Sequence, residues 1–383
     1  MTSLMELTDR GLYCAAGDFY VDPWQPVPRA VITHAHSDHA RFGSAAYLTA
    51  APGVEVLRER VGLDAQIESV EYAESIRLNG VSVTLHPAGH ILGSAQIRIE
   101  HRGQICVVSG DYKTQADPTC QVFEPVRCHT FITESTFALP IYHWQSDAEL
   151  FAAIHAWWQR NQQQRRTSVI YAYSLGKAQR VLAGLDPSVG PILVHGAVDR
   201  FLPHYRHAHV PLPYTERATT ENAQQTRGTA MVVAPPSAAG TPWLRKFGPV
   251  SAAMASGWMQ IRGARRRRSL DAGFALSDHA DWTGLLSAIA ATGAEEVWAT
   301  HGYSSILVRW LSEHGLAARA IRTAFEGELI EDTEATADGD QASAITVEKN
   351  VEPVDSTFGA KVEGGQQDRP LRADGSIPGR LPR

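Results

Sequence analysis

Val31-Ile32-Thr33-His34-Ala35-His36-Ser37-Asp38-His39 is the stretch on which the reading of this chain turns. An apolar strand end runs directly into three imidazoles and a carboxylate within six residues. Imidazole nitrogen and carboxylate oxygen both suit zinc, manganese or iron. In an extended segment alternate side chains share a face, which sends His34, His36 and Asp38 to one side and requires a turn to bring His39 round. That spacing feeds two adjacent metals rather than one. The bland alternative is a polar loop that happens to be rich in histidine, and what separates the two is whether the rest of the chain supplies further ligands.

Working outward, Gly11 to Tyr20 reads as a short hairpin, broken by Asp22-Pro23 and Pro26-Val27-Pro28. Downstream, Tyr47 to Ala50 reads as a strand and Val54 to Arg60 as a helix. Val81, Val83 and Leu85 alternate with polar residues and mark a half-buried strand before Gly89-His90. Ile97 and Ile99 continue the sheet, Ile105 to Ser109 ends at Gly110-Asp111, and Thr130 to Thr133 ends at Glu134. From Ser146 the character changes. Ser146 with Glu149 fits a capping box ahead of a helix to about Gln163, and strands at 168–173, 192–195, 231–234 and 250–253 alternate with helix-length segments. Residues 203–227 are polar and poorly periodic and read as a long surface excursion. The first pattern then returns: 273–276 reads as a strand ending at Ser277-Asp278-His279, a helix runs from Trp282 to Thr292 with Gly293 as its cap, and Val297 to Thr300 ends at His301-Gly302. A last helix spans about Ser305 to His314. The expected division is 1–145 and 269–332 for one domain, 146–268 for an inserted one, and a disordered tail over 333–383, where large apolar groups are few.

His34, Asp111, Glu134, His279 and His301 each fall just past the end of a short apolar strand. In open α/β sheets the ligand crevice lies outside those carboxyl ends, so five reactive groups placed there independently point to one shared site. His90 alone would be an ordinary sheet histidine and Asp111 an ordinary turn residue. In combination they complete a first coordination sphere with His34 and His36. A carboxylate between two metals about 3.5–4 Å apart bridges them, and such a pair activates water at neutral pH without a serine or cysteine nucleophile.

With 383 residues, 44% hydrophobic and 20% charged, the chain is of ordinary globular composition and long enough for two domains. The net charge of −6 does not itself announce a nucleic-acid partner. No apolar run is long enough to span a bilayer and the N-terminus lacks a secretory pattern, which gives the expectation of a cytoplasmic protein without membrane contact. Cys14, Cys106, Cys120 and Cys128 form no Cys-x-x-Cys pair and are expected to be reduced thiols rather than zinc ligands.

His34-Ala35-His36-Ser37-Asp38-His39 with His90, Asp111 and His301 resembles the metallo-β-lactamase superfamily, whose fold is an αββα sandwich. The insertion, with Thr133-Glu134-Ser135-Thr136 before it and Ser277-Asp278-His279-Ala280-Asp281 after it, resembles the β-CASP branch of nucleic-acid nucleases. The opening Leu12-Tyr13-Cys14 to Asp22-Pro23-Trp24 is similar to that of bacterial ligase-associated DNA exonucleases. The resemblance covers roughly residues 10–330. It implies an α/β fold with an inserted α/β domain. One metal would sit on His34, His36 and His90 and a second on Asp38, His39 and His301, with Asp111 shared. His279 would be the general acid and Glu134 the carboxylate that orients it. Two Zn2+ ions, with Mn2+ as the alternative, would serve a DNA exonuclease that trims ends for repair alongside a DNA ligase and a helicase. The rival is an RNase of the same fold, since His301 matches the RNA-processing members; a small-molecule metallo-hydrolase is the reading from another class.

Other features bear on nucleic-acid contact. Ser174 and Lys177 open a helix after a strand, where free amides, a hydroxyl and a charge suit a phosphate; the glycine spacing is not that of a Walker loop. Arg262 and Arg265-Arg266-Arg267-Arg268 form a dense basic run ahead of His279 that would neutralise phosphates along a nucleic-acid path. Trp258 suits either base stacking or core packing. His204, His207 and His209 read as surface residues, and Trp157-Trp158 as core or domain interface.

Overall fold

The computed structural model describes residues 3–261 and 270–324, and their strands form three sheets. The first holds β1 (Glu6–Leu7), β2 (Leu12–Cys14), β3 (Phe19–Val21), β4 (Arg29–Val31), β5 (Ala46–Ala50) and β6 (Ile67–Val70) in chain order. The second begins with β7 (Ser75–Leu78), β8 (Val81–Pro87), β9 (Ala95–His101), β10 (Gln104–Val108) and β11 (Thr130–Glu134). The chain then leaves to build the third from β12 (Thr167–Tyr171), β13 (Ile192–Val194), β14 (Glu216–Arg217), β15 (Met231–Ala234), β16 (Val250–Ala255) and β17 (Ala272–Phe274). It returns to complete the second with β18 (Glu296–Thr300) and β19 (Ala317–Ala320), giving the order β19-β18-β11-β10-β9-β8-β7.

The alternation read in β8 does what period-2 patterning demands. Val83 pairs with Ile99 and Leu85 with Ile97 across an antiparallel register, and these side chains enter a core shared with Phe19, Val21, Val31 and Leu48 of the first sheet. The two sheets therefore face each other across one apolar layer. β10, β11 and β18 run parallel and are apolar on both faces, as a sheet covered on two sides requires. Ile132 and Trp298 point into the shared core, whereas Phe131 and Val297 meet Leu285, Ile289, Leu307 and Leu311 of the helices Trp282–Thr292 and Ser304–Glu313. On the far side, Ala30, Ile32 and Tyr47 of the first sheet pack under Val56, Leu57 and Val61 of the helix Val54–Val61.

All six strands of the third sheet are parallel, in the order β14-β13-β15-β12-β16-β17. One face carries the helices Asp147–Gln163 and Lys177–Ala183, and the other carries Phe137, Tyr142, Phe247 and Trp258. The first of those helices begins as its sequence indicates: Ser146 Oγ accepts from Glu149 N at 3.3 Å while Glu149 Oε2 accepts from Ser146 N at 3.2 Å. Such a cap contributes about 1 kcal/mol.

Two readings are revised. The segment 203–227 is not structureless: it holds the helices Leu202–His207 and Thr220–Gln225 and strand β14, and buries Tyr205 completely. Exposed His207 and Arg206 around Tyr205 obscured the period, and His204 Nε2 lies 3.5 Å from Glu59 Oε1. The strand expected at 273–276 is β17, and Ala253 pairs with Ala272, so the third sheet extends past the boundary placed at 268. Trp258 is 5% exposed and packs on Phe137 at 4.7 Å between ring centroids, which makes it a core residue. Trp158 is buried outright, with its Nε1 donating to Thr229 O at 2.8 Å. Arg262, Arg265 to Arg268 and the tail from 333 lie outside the described residues. Cys14, Cys106 and Cys128 are buried and all four thiols are free. Among the described residues no helix is long and apolar enough to cross a membrane.

Candidate metal centre and active site

Asp111, Glu134 and His301 reach one edge because β10, β11 and β18 are parallel neighbours; Val108 pairs with Ile132 and Glu134 with Thr300. The histidine cluster follows β4, but only Arg29–Val31 is strand, so His34 to His39 occupy a loop rather than alternating along an extended segment. Close approach of these loops needs glycine at two points. A Cβ on Gly110 (φ 57°) would stand 2.6 Å from Thr33 Cβ, and one on Gly302 (φ 64°) 2.5 Å from Thr136 Cα. His301 itself holds φ 56°, a left-handed conformation that is uncommon for a residue with a side chain.

His34, His36, His90 and Asp111 form the first group. His34 Nε2 and His90 Nε2 each lie 3.1 Å from His36 Nδ1, and Asp111 Oδ2 is 3.5 Å from His34 Nε2 and 3.7 Å from His90 Nε2. The outward ring nitrogens decide what the inward ones are. His36 Nε2 is 3.2 Å from Leu175 O and His90 Nδ1 is 2.8 Å from Asp278 O, and a carbonyl can only accept. His34 Nδ1 faces Thr33 Oγ1 at 3.1 Å, a hydroxyl whose single proton goes to Asp22. Each neutral ring therefore carries its proton outward and turns a lone pair inward. Three lone pairs about 3 Å apart repel unless a cation joins them. Tetrahedral coordination at ~2.0–2.1 Å gives nitrogen separations of about 3.3–3.4 Å, so this donor set fits a divalent ion.

The second group is His39, Asp111 and His301, with Asp38 beside it. His39 Nε2 lies 3.5 Å from Asp111 Oδ2 and 3.7 Å from Asp38 Oδ2, and His301 Nδ1 is 3.9 Å from Asp111 Oδ1. His39 Nδ1 donates to Asp22 Oδ2 at 2.8 Å, which leaves Nε2 buried without a hydrogen-bond partner. An orphaned buried nitrogen facing carboxylates is what a metal ligand looks like. Asp38, with a quarter of its side chain exposed, is the most open member. Asp111 belongs to both groups.

The electrostatics agree. Burial and the neighbouring His39 hold His34 well below its ordinary range, while burial and the neighbouring His279 push His90 down to about 3, so both rings stay neutral as ligation requires. Burial would raise Asp111, but His39 and His279 outweigh it and keep the carboxylate ionised. His39 moves the other way: burial disfavours its charge, yet Asp111 and Asp38 lift it well above the usual imidazole range. The carboxylates demand positive charge at that point, whether from a proton or a metal.

His279 stands beside this centre, its ring 4.7 Å from that of His90. Its Nδ1 lies 2.8 Å from Glu134 Oε2 and 3.0 Å from Oε1, and Glu134 Oε1 also accepts from Tyr112 N at 2.7 Å. Burial disfavours the imidazolium, but Glu134 and Asp111 overcome it and raise the pKa to about 10. The ring can therefore hold a proton at neutral pH on the nitrogen that Glu134 does not engage.

One expected phosphate contact is placed differently. Lys177 is 1% exposed and its Nζ lies 3.1 Å from Asp278 Oδ1, so its charge is spent inside the protein rather than offered at the surface. Ser174 is half-buried in the adjacent turn and its carbonyl accepts from Gln179 Nε2 at 3.0 Å. Two residues escaped the sequence reading. Asp22 reads in sequence as part of an Asp-Pro break, yet it accepts from Thr33 N at 2.8 Å as well as from His39. Asp278 was noted only as the neighbour of His279.

Motifs, strand order and site together define the class: the chain belongs to the β-CASP branch of the metallo-β-lactamase superfamily. No family model matches the sequence. It is 32% identical over 317 residues to the "Probable DNA ligase" of Opitutus terrae, a match that takes in 81% of this chain and 30% of that one. It is 30% identical over 139 residues to the "Cleavage and polyadenylation specificity factor subunit 3" of Dictyostelium discoideum, 34% of this chain and 17% of that one. With the "Endoribonuclease YSH1" of Saccharomyces cerevisiae it shares 30% identity over 125 residues, 32% of this chain and 16% of that one. The chain thus spans less than a third of the length of these relatives. Among solved structures, a protein of unknown function from Enterococcus faecalis V583 matches in fold with a TM-score of 0.54 at 11% identity, over 78% of this chain and 80% of that one.

Proposed function

We propose that this protein is a binuclear-metal phosphodiesterase that trims DNA ends as an exonuclease in DNA repair, on a metallo-β-lactamase αββα sandwich with an inserted β-CASP sheet. The site supports hydrolysis: two ligand groups share Asp111, and the Glu134–His279 pair stands beside them. When bound, paired ions supply charge to the attacking and leaving oxygens and activate water. The protein's own groups do the rest. Asp22, Leu175 O and Asp278 O hold the histidine rings in the tautomers that ligation needs. Glu134 holds Nδ1 of His279, and Nε2, 3.8 Å from Asp278 Oδ1, is the position from which a proton would pass to the departing alkoxide. Asp38, at the mouth, contributes charge to the second metal position. Nitrogen and oxygen donors suit Zn2+, with Mn2+ as the alternative.

The observation that carries the choice of DNA is the match to a chain named a probable DNA ligase, which takes in most of this sequence. A segment of this kind within a ligase polypeptide makes sense if ends are trimmed before they are joined, so a DNA ligase is the proposed functional partner and a helicase the one the resemblance adds. The matches to the cleavage factor and the endoribonuclease favour a second reading, an RNase of the same fold. Matched DNA and RNA oligonucleotides, labelled at either end and incubated with the metal-loaded protein, separate the two. Stepwise shortening of DNA is the expected result. Cleavage of RNA alone, or internal cuts only, would refute the proposal.

A further inference from the structure

The carbonyls that fix His36 and His90 do not come from the two facing sheets. Leu175 lies in the turn between β12 and the helix Lys177–Ala183, and Asp278 follows β17, so both acceptors belong to turns of the third sheet. These turns meet through the buried ion pair of Lys177 Nζ with Asp278 Oδ1 at 3.1 Å, with side chains 1% and 3% exposed, and Arg180 of the following helix also donates to Ser277 O. Lys177 sits two residues after Leu175, in a turn already stiffened by Gly176 N donating to Gln179 Oε1 at 2.7 Å and Gln179 Nε2 donating to Ser174 O at 3.0 Å. A Cβ on Gly176 would stand 2.2 Å from Ile91 Cγ2, so this turn is seated directly on the loop that carries His90.

We infer that Lys177 is a positioning residue of the metal centre: its ion pair with Asp278 clamps together the two third-sheet turns whose carbonyls orient His36 and His90. The first metal position is then completed by the inserted sheet, and its affinity depends on the clamp, whereas the group of His39, Asp111 and His301 leans on Asp22 and does not. The inference rests on the reading that His34, His36 and His90 hold a divalent ion. Outer partners of this kind typically change metal affinity about 10- to 100-fold.

The test uses the full chain and zinc or cobalt alone. Lys177→Met/Asp278→Asn removes the clamp while preserving net charge, and both forms are titrated stepwise against a chromophoric chelator, with circular dichroism reporting the fold. The expected result is a folded variant whose first-group site binds about 10- to 100-fold more weakly, with the second site within about threefold of wild type. Lys177→Arg, which keeps the charge, is expected to restore most of the affinity. Should the double variant not fold, Lys177→Gln carries the same expectation. A folded variant with wild-type affinity, or equal weakening at both sites, would overturn the inference. A wild-type chain that binds no divalent ion would instead overturn the metal reading itself.

Discussion

His279→Ala separates an acid acting on the leaving group from a histidine that merely packs. In the wild type, Glu134 contacts His279 Nδ1 at 2.8 and 3.0 Å, and the pKa stands at about 10 against an ordinary 6.5. That lift corresponds to about 5 kcal/mol in favour of the imidazolium, enough to keep the proton in place at neutral pH despite full burial. A positioned acid contributes about 100- to 10,000-fold to the rate. The loss on alanine substitution should match that range on an oligonucleotide, whose alkoxide must be protonated as it departs. On an activated aryl phosphodiester, whose leaving group departs as a stable anion, the loss should be under about 10-fold. Steady-state rates for both substrates, measured on protein of verified metal content, provide the comparison. An equal loss on the two substrates would refute the assignment, because a purely structural defect does not distinguish leaving groups.

Other consequences follow from the same geometry. Glu134→Gln removes the main charge that raises His279, so the basic limb of the pH–rate profile, lying at about pH 10 in the wild type, should move downward; an unmoved limb would assign it to another group. The sign follows from a raised pKa: the acid form persists below about 10 and disappears as pH rises through it. Gly302→Ala forces a side chain to within 2.5 Å of Thr136 Cα and should displace His301, selectively weakening the second metal position in a chelator titration. Stripping metal should lower the thermal midpoint, since a ligand present at about 100 times its Kd stabilises by about 2.7 kcal/mol; differential scanning fluorimetry with and without chelator reads this. Ile132→Ala hollows the core shared by the facing sheets and should cost about 2–5 kcal/mol in chemical denaturation.

Much of the site was legible because its residues end apolar runs. Glu134 ends its strand and Asp111 and His301 sit just past theirs, and the parallel pairing of these strands carries all three to one edge, so a reader of sequence needs only the strand ends to find them. What escaped depends on contacts remote in sequence. β17 looks like the return of the first pattern because Ser277-Asp278-His279 follows it, and only its pairing with β16 reveals its sheet. Lys177 looks like a phosphate ligand at a helix start, and nothing local announces that Asp278 neutralises it. Asp22 reads as a turn former, although it anchors His39 from the end of the neighbouring strand β3. The helix Leu202–His207 is hidden because two buried residues, Leu202 and Tyr205, among histidines and an arginine give too weak a period.

The central claim is that residues scattered along the chain converge on two metal positions joined by Asp111. Metal analysis of the purified chain and of its Asp111→Ala variant tests it most directly. Two divalent ions per wild-type chain and at most one in the variant are expected. A wild type carrying no ion, or a variant retaining both, would contradict it.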